Sequence, residues 1–189
     1  MAVRLETERL ILRPFAPEDL EALYELLHDE IVNRFLPWFP VKELAETRAF
    51  YEARFAGQEY KLAICLKEDD ISIGYLTADT GEAHDFGYAL KREFWGRGIV
   101  TEAGRALIGH LKAAGVPYLT ATHDRDNPRS GAVMERLGMK YCYSYEEQWQ
   151  PKNFPVIFRM YQLNLDGQEG RIYRGYWDRY RRHFVENME

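Results

Sequence analysis

Apolar positions along the 189-residue chain alternate between two spacings, and the switches mark its elements. Leu10-Ile11-Leu12-Arg13-Pro14 predicts an opening strand. Pro17 then stands near a first helical position, with Glu18 and Asp19 toward the positive end of the helix dipole. Leu20, Leu23, Tyr24 and Leu27 recur at i, i+3, i+4 and i+7, which predicts the first helix. Phe35-Leu36-Pro37-Trp38-Phe39-Pro40 holds too much proline for a helix interior, and a second helix is expected over 42–55. β-Branched and aromatic residues predict three strands, 60–66, 71–77 and 86–90, separated by turns at Glu68-Asp69-Asp70 and Thr80-Gly81-Glu82. From Gly98 the period is helical again, with Val100, Ala103, Leu107, Leu111 and Ala114 on one face and Gly115 before Pro117 closing the element. A strand over 118–122, a short helix from Asn127-Pro128-Arg129-Ser130 to Leu137-Gly138, and strands over 140–149 and 156–165 complete the series. The order β-α-α-β-β-β-α-β-α-β-β predicts an α/β (α+β) domain over 1–165. It has a mixed, mostly antiparallel sheet of about seven strands with helices on both faces, and lacks the regular alternation of a doubly wound parallel sheet.

Residues 166–189 form an extension. Ile172, Tyr176, Tyr180 and Phe184 fall near helical spacing among Arg171, Arg174, Arg179, Arg181 and Arg182, which predicts a helix docking on its own domain or on a second copy in a homodimer. An RNA or acidic-partner patch is the sharper alternative for these arginines, but the whole chain opposes it: 25 basic against 30 acidic side chains give a net charge of −5. Nucleic acid is therefore not the expected partner. The 46% hydrophobic content is enough for one sizeable core. Cys65 and Cys142 form no Cys-x-x-Cys pair, and His28, His110 and His123 stand singly, so no disulfide framework or metal site is expected. The N-terminus lacks the pattern of an export signal, and no apolar run approaches the ~18 residues of a membrane helix; a cytoplasmic setting is expected.

The most informative stretch is Phe94-Trp95-Gly96-Arg97-Gly98-Ile99-Val100-Thr101-Glu102-Ala103, a glycine-containing loop that runs from a strand into a helix N-terminus. Such a loop presents unpaired N–H groups at the positive end of the helix dipole, the arrangement that holds a pyrophosphate. Gly96 and Gly98 let an anion approach the main chain and Arg97 adds charge. A dinucleotide fingerprint would want glycine at Thr101, and the Gly-Lys-Ser/Thr of a Walker loop is missing.

Three motifs in order resemble the GNAT superfamily of N-acetyltransferases, and within it the bacterial ribosomal-protein N-terminal acetyltransferase branch. They are Thr7-Glu8-Arg9-Leu10-Ile11-Leu12-Arg13-Pro14; Phe86-Gly87-Tyr88-Ala89-Leu90 with Trp95-Gly96-Arg97-Gly98 and Thr101-Glu102-Ala103; and Asn127-x-x-Ser130-x-x-Val133-x-Glu135-x-Leu137-Gly138-Met139. The resemblance implies the acyl-CoA N-acyltransferase fold and acetyl-CoA as cosubstrate. It places Tyr88, Ala89 and Leu90 beside the pantetheine arm as an added strand. The loop of Gly96, Arg97, Gly98, Ile99, Val100 and Thr101 holds the pyrophosphate, Asn127 bonds the pantetheine, and Ser130 lies near the sulfur. It also implies a ternary complex with direct transfer to a primary amine. A protein N-terminus is the leading acceptor; a small-molecule amine, or a CoA-binding sensor without turnover, is the alternative.

Transfer to an amine needs a neutral nucleophile, a polarised carbonyl and a proton for the departing thiolate. An α-amine at ~7.7 to 8.0 asks less of a base than a lysine at ~10.4. A strand N–H near Tyr88 or Ala89 is expected to polarise the carbonyl. Asp85 and His84, just ahead of the central strand, are the candidate bases, with Glu82 nearby. The position where many superfamily members carry an acidic tyrosine is Met134, which leaves Ser130 as the candidate acid, although serine also suits a helix N-cap. Cys142 lies among Tyr141, Tyr143 and Tyr145 in a strand pattern, a sheet position rather than a nucleophile. Trp38 and Phe39 are candidates to pack on the acceptor.

Overall fold

A computed structural model describes residues 3–187. Strands β1 (Leu5–Glu6), β2 (Leu10–Pro14), β3 (Lys61–Leu66), β4 (Ser72–Ala78) and β5 (Phe86–Leu90) form one antiparallel sheet in chain order. A second antiparallel sheet has the order β6-β8-β7-β9, from β6 (Tyr118–Asp124), β7 (Lys140–Trp149), β8 (Phe154–Asn164) and β9 (His183–Phe184). The seven expected strands are all present. The two added ones, β1 and β9, are two-residue edge pairings too short to leave a period in the sequence.

The sheets meet at a single parallel bridge between Asp85 and Thr120. Thr120 secures it twice, its N–H donating to the His84 carbonyl at 3.2 Å and its hydroxyl to the Ala83 carbonyl at 2.8 Å. Beyond the bridge the edges of β5 and β6 part.

Alternation along the strands decides what covers each face of the first sheet. Leu10, Leu12, Leu62, Ile64 and Leu76 point to one side, where α4 (Ile99–Ala113) packs Ile99, Ala103, Leu107 and Leu111 against them. Ile11, Ala63, Cys65 and Tyr75 point to the other, against Leu23, Leu26 and Leu27 of α1 (Leu20–His28), with Phe55 just after α3 (Leu44–Arg54). Ahead of α1, the buried Asp19 carboxylate accepts from the Ala16 N–H and from both terminal nitrogens of Arg13. Its acid is spent on that clamp rather than on the helix dipole. Two short helices, α2 (Glu30–Asn33) and α5 (Pro128–Arg136), flank the opening between the sheets. No helix among the described residues is long and apolar enough to cross a membrane.

The extension differs from its expected continuous helix. Among the described residues of the extension, which end at 187, only α6 (Gly175–Arg179) is helical; the chain then runs extended and β9 pairs with β7 through Ser144–Phe184 and Tyr145–His183. The free edge of β7 offers ladder hydrogen bonds and Tyr145 offers a ring face, and together they outcompete a solvent-exposed helix. The arginines are largely paired: Arg171 with Asp166, Arg174 with Asp178, Arg182 with Glu146.

Gly74 in β4 faces Leu90 in β5, and a Cβ there would overlap the Ala89 carbonyl oxygen. Gly74→Ala should therefore lose ~1–3 kcal/mol of stability, read as a lower urea midpoint with unchanged slope.

Candidate active site

Where β5 and β6 separate, a cleft of about 1980 Å³ opens. Tyr88, Ala89 and Leu90 of β5 line one side, and Asn127 and Ser130 at the start of α5 line the other. Gly96, Gly98, Ile99, Val100 and Thr101 close the end toward α4. Gly96 and Gly98 have φ of 75° and 73°, the left-handed region that glycine enters without strain, and Gly98 is the N-cap of α4. A Cβ at Gly96 would meet nothing within 4 Å, so the open space lies directly over the main chain. Among the described residues, nothing in the chain accepts from the N–H groups of Gly96 through Thr101. They are left for an anion.

The loop is braced from outside. Glu102 in the first turn of α4 accepts from the Thr7 hydroxyl, from the Arg9 N–H at 3.0 Å and from the Arg9 guanidinium at 2.7 Å, while Arg9 also donates to the Arg97 carbonyl at 3.1 Å. These bonds hold the Glu102 carboxyl below its ordinary range against the opposing effect of burial. Arg97 itself is off the cleft wall, its guanidinium over the Phe94 ring at 5.4 Å. The positive charge on the wall comes instead from Arg9, Arg34, Arg54 and Lys61 and, on α4 and α5, from Arg105, Arg129 and Arg136, with Arg129 over the Trp95 ring. Composition and spacing did not single out the last three, because they converge only once α4 and α5 pack side by side.

Ser130 is not the cap of α5. Asn127 holds that position, and Ser130 sits in the first turn with its Oγ 2.8 Å from the Tyr88 hydroxyl, which also donates to the Ser130 carbonyl at 2.8 Å. Burial pushes the Tyr88 phenol up, against the Ser130 hydrogen bond. Met134 is buried at the cleft wall, so the hydroxyl beside Ser130 comes from β5 rather than from α5. Asp85 lines the cleft and also borders a second cavity of about 410 Å³, sharing that position with Lys61 and Thr77. Burial, with the Asp79 carboxylate adding to it, pushes Asp85 up to about 6. His84 turns away: its φ is 46° and its ring lies edge-on to Tyr118 at 5.0 Å, outside the cleft lining. Glu82 is exposed, and its carbonyl accepts from the Tyr118 hydroxyl.

The half of the cleft beyond Asp85 is walled by Trp38, Tyr75, Tyr145, Trp149 and Phe158. Trp38, with Phe35 of the same proline-rich loop, thus lines the cleft, whereas Phe39 is 60% exposed outside it. Lys152 ties the two rims together, its ammonium donating to the Asn33 and Arg34 carbonyls and lying over the Trp149 ring. Cys142 is outside the cleft, and burial pushes its thiol up to about 11, consistent with a sheet position.

An acetyltransferase (GNAT) domain model matches residues 9–140. The chain belongs to the GNAT acetyltransferases. It is 25% identical over 165 residues to an uncharacterized N-acetyltransferase of Bacillus subtilis, covering 82% of this chain and 96% of that one. A Bacillus anthracis GNAT-family acetyltransferase structure superposes with a TM-score of 0.78 at 22% identity, over 87% of this chain and 99% of that chain. The ribosomal L7/L12 α-N-protein acetyltransferase RimL, solved with coenzyme A, superposes with a TM-score of 0.73 at 21% identity, over 88% and 100%.

The cleft of this acetyltransferase combines an unpaired strand edge, free N–H groups with open space above them and arginines on the wall, an arrangement that suits an extended ligand with an anionic end. Gly98→Glu puts a strained residue and a negative charge into that space. The thermal shift produced by CoA in the wild type should disappear in this variant; an unchanged shift would sink the cradle assignment.

Asp85 carries a linked prediction. Its folded pKa of about 6 exceeds the ordinary ~3.9, so the native state binds that proton more tightly than the unfolded chain. Stability from this group is present below pH ~4 and lost as pH rises through about 6. Asp85→Asn should therefore be more stable than wild type at pH 7, with the difference vanishing toward pH 4 in thermal unfolding.

Proposed function

We propose that this acetyltransferase moves the acetyl group of acetyl-CoA to a protein N-terminal α-amine, by direct attack within a ternary complex. The observation that carries this reading is the half-buried Asp85, its carboxyl pushed up to about 6, on the wall of the cleft that also holds the Tyr88–Ser130 pair. A base at about 6 takes a proton from an α-ammonium at ~7.7 to 8.0 with a modest deficit, whereas a lysine ammonium at ~10.4 would cost over four units. The likeness to RimL supports the same acceptor class.

In the proposed sequence, Tyr88, Ala89 and Leu90 pair their outer edge with the pantetheine arm, and Asn127 bonds it from the facing strand end. Gly96, Gly98, Ile99, Val100 and Thr101 hold the pyrophosphate, with Arg105 and Arg129 supplying charge that Arg97 does not. Asp85, directly or through water, takes one proton from the ammonium and passes it toward the second cavity. The neutral amine attacks the thioester carbonyl while a β5 N–H polarises the oxygen. The C–S bond then breaks; the Ser130 hydroxyl, in contact with the Tyr88 hydroxyl, gives its proton to the thiolate, and the nitrogen of the new amide returns its second proton to that hydroxyl pair, so that amide and thiol leave with Ser130 and Tyr88 restored. His84, held against Tyr118, has no part in this sequence.

The test is a thiol-release screen with acetyl-CoA against short peptides starting with Ala or Ser, spermidine, glucosamine and free amino acids. Peptides acetylated at the α-amine support the proposal; turnover confined to small amines replaces the acceptor, and CoA binding without thiol release on any amine favours a sensor. Ser130→Ala and Tyr88→Phe should each lower kcat about a hundredfold or more with CoA affinity retained, the range of a lost proton donor. Unchanged turnover in both would leave the pair a structural contact.

A further inference from the structure

The C-terminal segment, which by sequence alone is an appendage, reaches the acceptor half of the cleft. Tyr176 and Tyr180 line it. Tyr145 of β7 stacks on Tyr176 at 5.1 Å and 17° and on Tyr180 at 4.7 Å and 9°. The segment is held at several points. The Tyr143 hydroxyl donates to the Tyr173 carbonyl at 2.7 Å, Trp177 sits edge-on to Tyr143, β9 completes the sheet, and Glu186 pairs with Arg159 and accepts from Ser144. Five contacts of different kinds along fourteen residues make this a built wall rather than a tail lying on a surface.

We propose that this segment is a working part of the acceptor site: Tyr176 and Tyr180, stacked on Tyr145, keep water from Asp85 and form the surface on which the group bearing the acceptor amine packs. The inference rests on Asp85 acting as the base. Asp85 has around it Asp79 just past β4, Lys61 from β3, Thr120 from β6, Tyr145 from β7, and Tyr173 and Tyr176 from the C-terminal segment. Only Lys61 among these brings a positive charge. Asp79 repels a second negative charge, and in this proposal the Tyr176 ring, stacked on Tyr145 in the same cleft wall, supplies part of the burial that keeps the carboxylate basic. Removing the Tyr176 ring admits solvent to the carboxylate and takes away one of the two rings that back Tyr145. A conservative change to Phe keeps the ring and its stacking while removing the hydroxyl. The same rings supply π-faces that favour an ammonium over a neutral or anionic group, with Glu147 nearby on the cleft wall.

Carbon-13 NMR of the aspartate carboxyls in the full-length protein tests the shield without any acceptor. Asp85 should titrate near 6 in the wild type and in Tyr176→Phe, and should fall toward the ordinary ~3.9 in Tyr176→Ala. An Asp85 midpoint that stays put in Tyr176→Ala overturns the shield. The best amine from the thiol-release screen tests the packing surface: Tyr176→Ala and Tyr180→Ala should each raise its KM about tenfold while the CoA-induced thermal shift is kept, and an unchanged KM in both overturns that part. The retained thermal shift also confirms folding; should Tyr176→Ala fail it, Tyr180→Ala is read for both the midpoint and the KM. Asp85→Asn separates the two levels. Full turnover in that variant removes Asp85 as base, and the wall is then accepted or rejected on the KM change alone.

Discussion

Between the Asp85–Thr120 bridge and the far ends of β5 and β6, two strand edges run apart with their backbone groups facing a cleft instead of each other. An unpaired edge is ordinarily a liability, because its N–H and C=O groups recruit any strand that arrives. Here the edge is recessed between packed layers, so what reaches it is an extended molecule threaded into the cleft. The split is maintained by α5, which follows β6 closely enough that a Cβ at Gly131 would come within 2.7 Å of the His123 ring. His123 is buried there with its Nδ1 against the Asp124 carbonyl, and burial lowers its pKa, so the wedge carries a neutral ring.

The cradle at the end of the split illustrates how little side-chain chemistry an anion site needs. Two glycines in left-handed conformation turn the chain so that successive N–H groups face one way, and the α4 dipole does the rest. What the side chains contribute is rigidity. Thr7 and Arg9 grip Glu102 from a distance of more than ninety residues in sequence, and Arg9 reaches on to the loop carbonyl of Arg97. A negative carboxylate at the first turn of α4 would compete with a bound pyrophosphate if it were free. Pairing it with Arg9 both neutralises it and fastens the loop to the first sheet.

The cleft divides its labour by polarity. The α4 end is rich in backbone donors and arginine, suited to phosphates; the far end is rich in rings, with one carboxylate made basic by burial. The hydroxyl pair of Tyr88 and Ser130 lies between them. In the proposed reaction Asp85 takes a proton from the amine and the Ser130 hydroxyl supplies one to the thiolate. This arrangement also accounts for Met134: with Tyr88 supplying a phenol from β5, α5 has no need of one.

Local pattern alone determined a good deal. The periods of 3.6 and 2 located the main strands and four helices, since burial on one face forces those spacings whatever the partner. The glycines at 96 and 98 marked a turn into α4 with its main chain open to approach, because glycine enters the left-handed backbone region most readily. Residue chemistry brought forward Asp85, Ser130 and Tyr88. Tertiary structure decided the rest. His84 and Arg97 sit beside productive neighbours in sequence, yet a positive φ at one and an aromatic contact at the other send their side chains away. Arg105 and Arg129, Trp38 and Trp149, and the stack of Tyr145, Tyr176 and Tyr180 converge from segments far apart in the chain. The tail's tyrosine spacing suits a helix as well as a strap, and only the free edge and ring face of β7 distinguish the two. A side chain's local spacing says which way it points from its own element; which cavity it reaches depends on how separate elements pack.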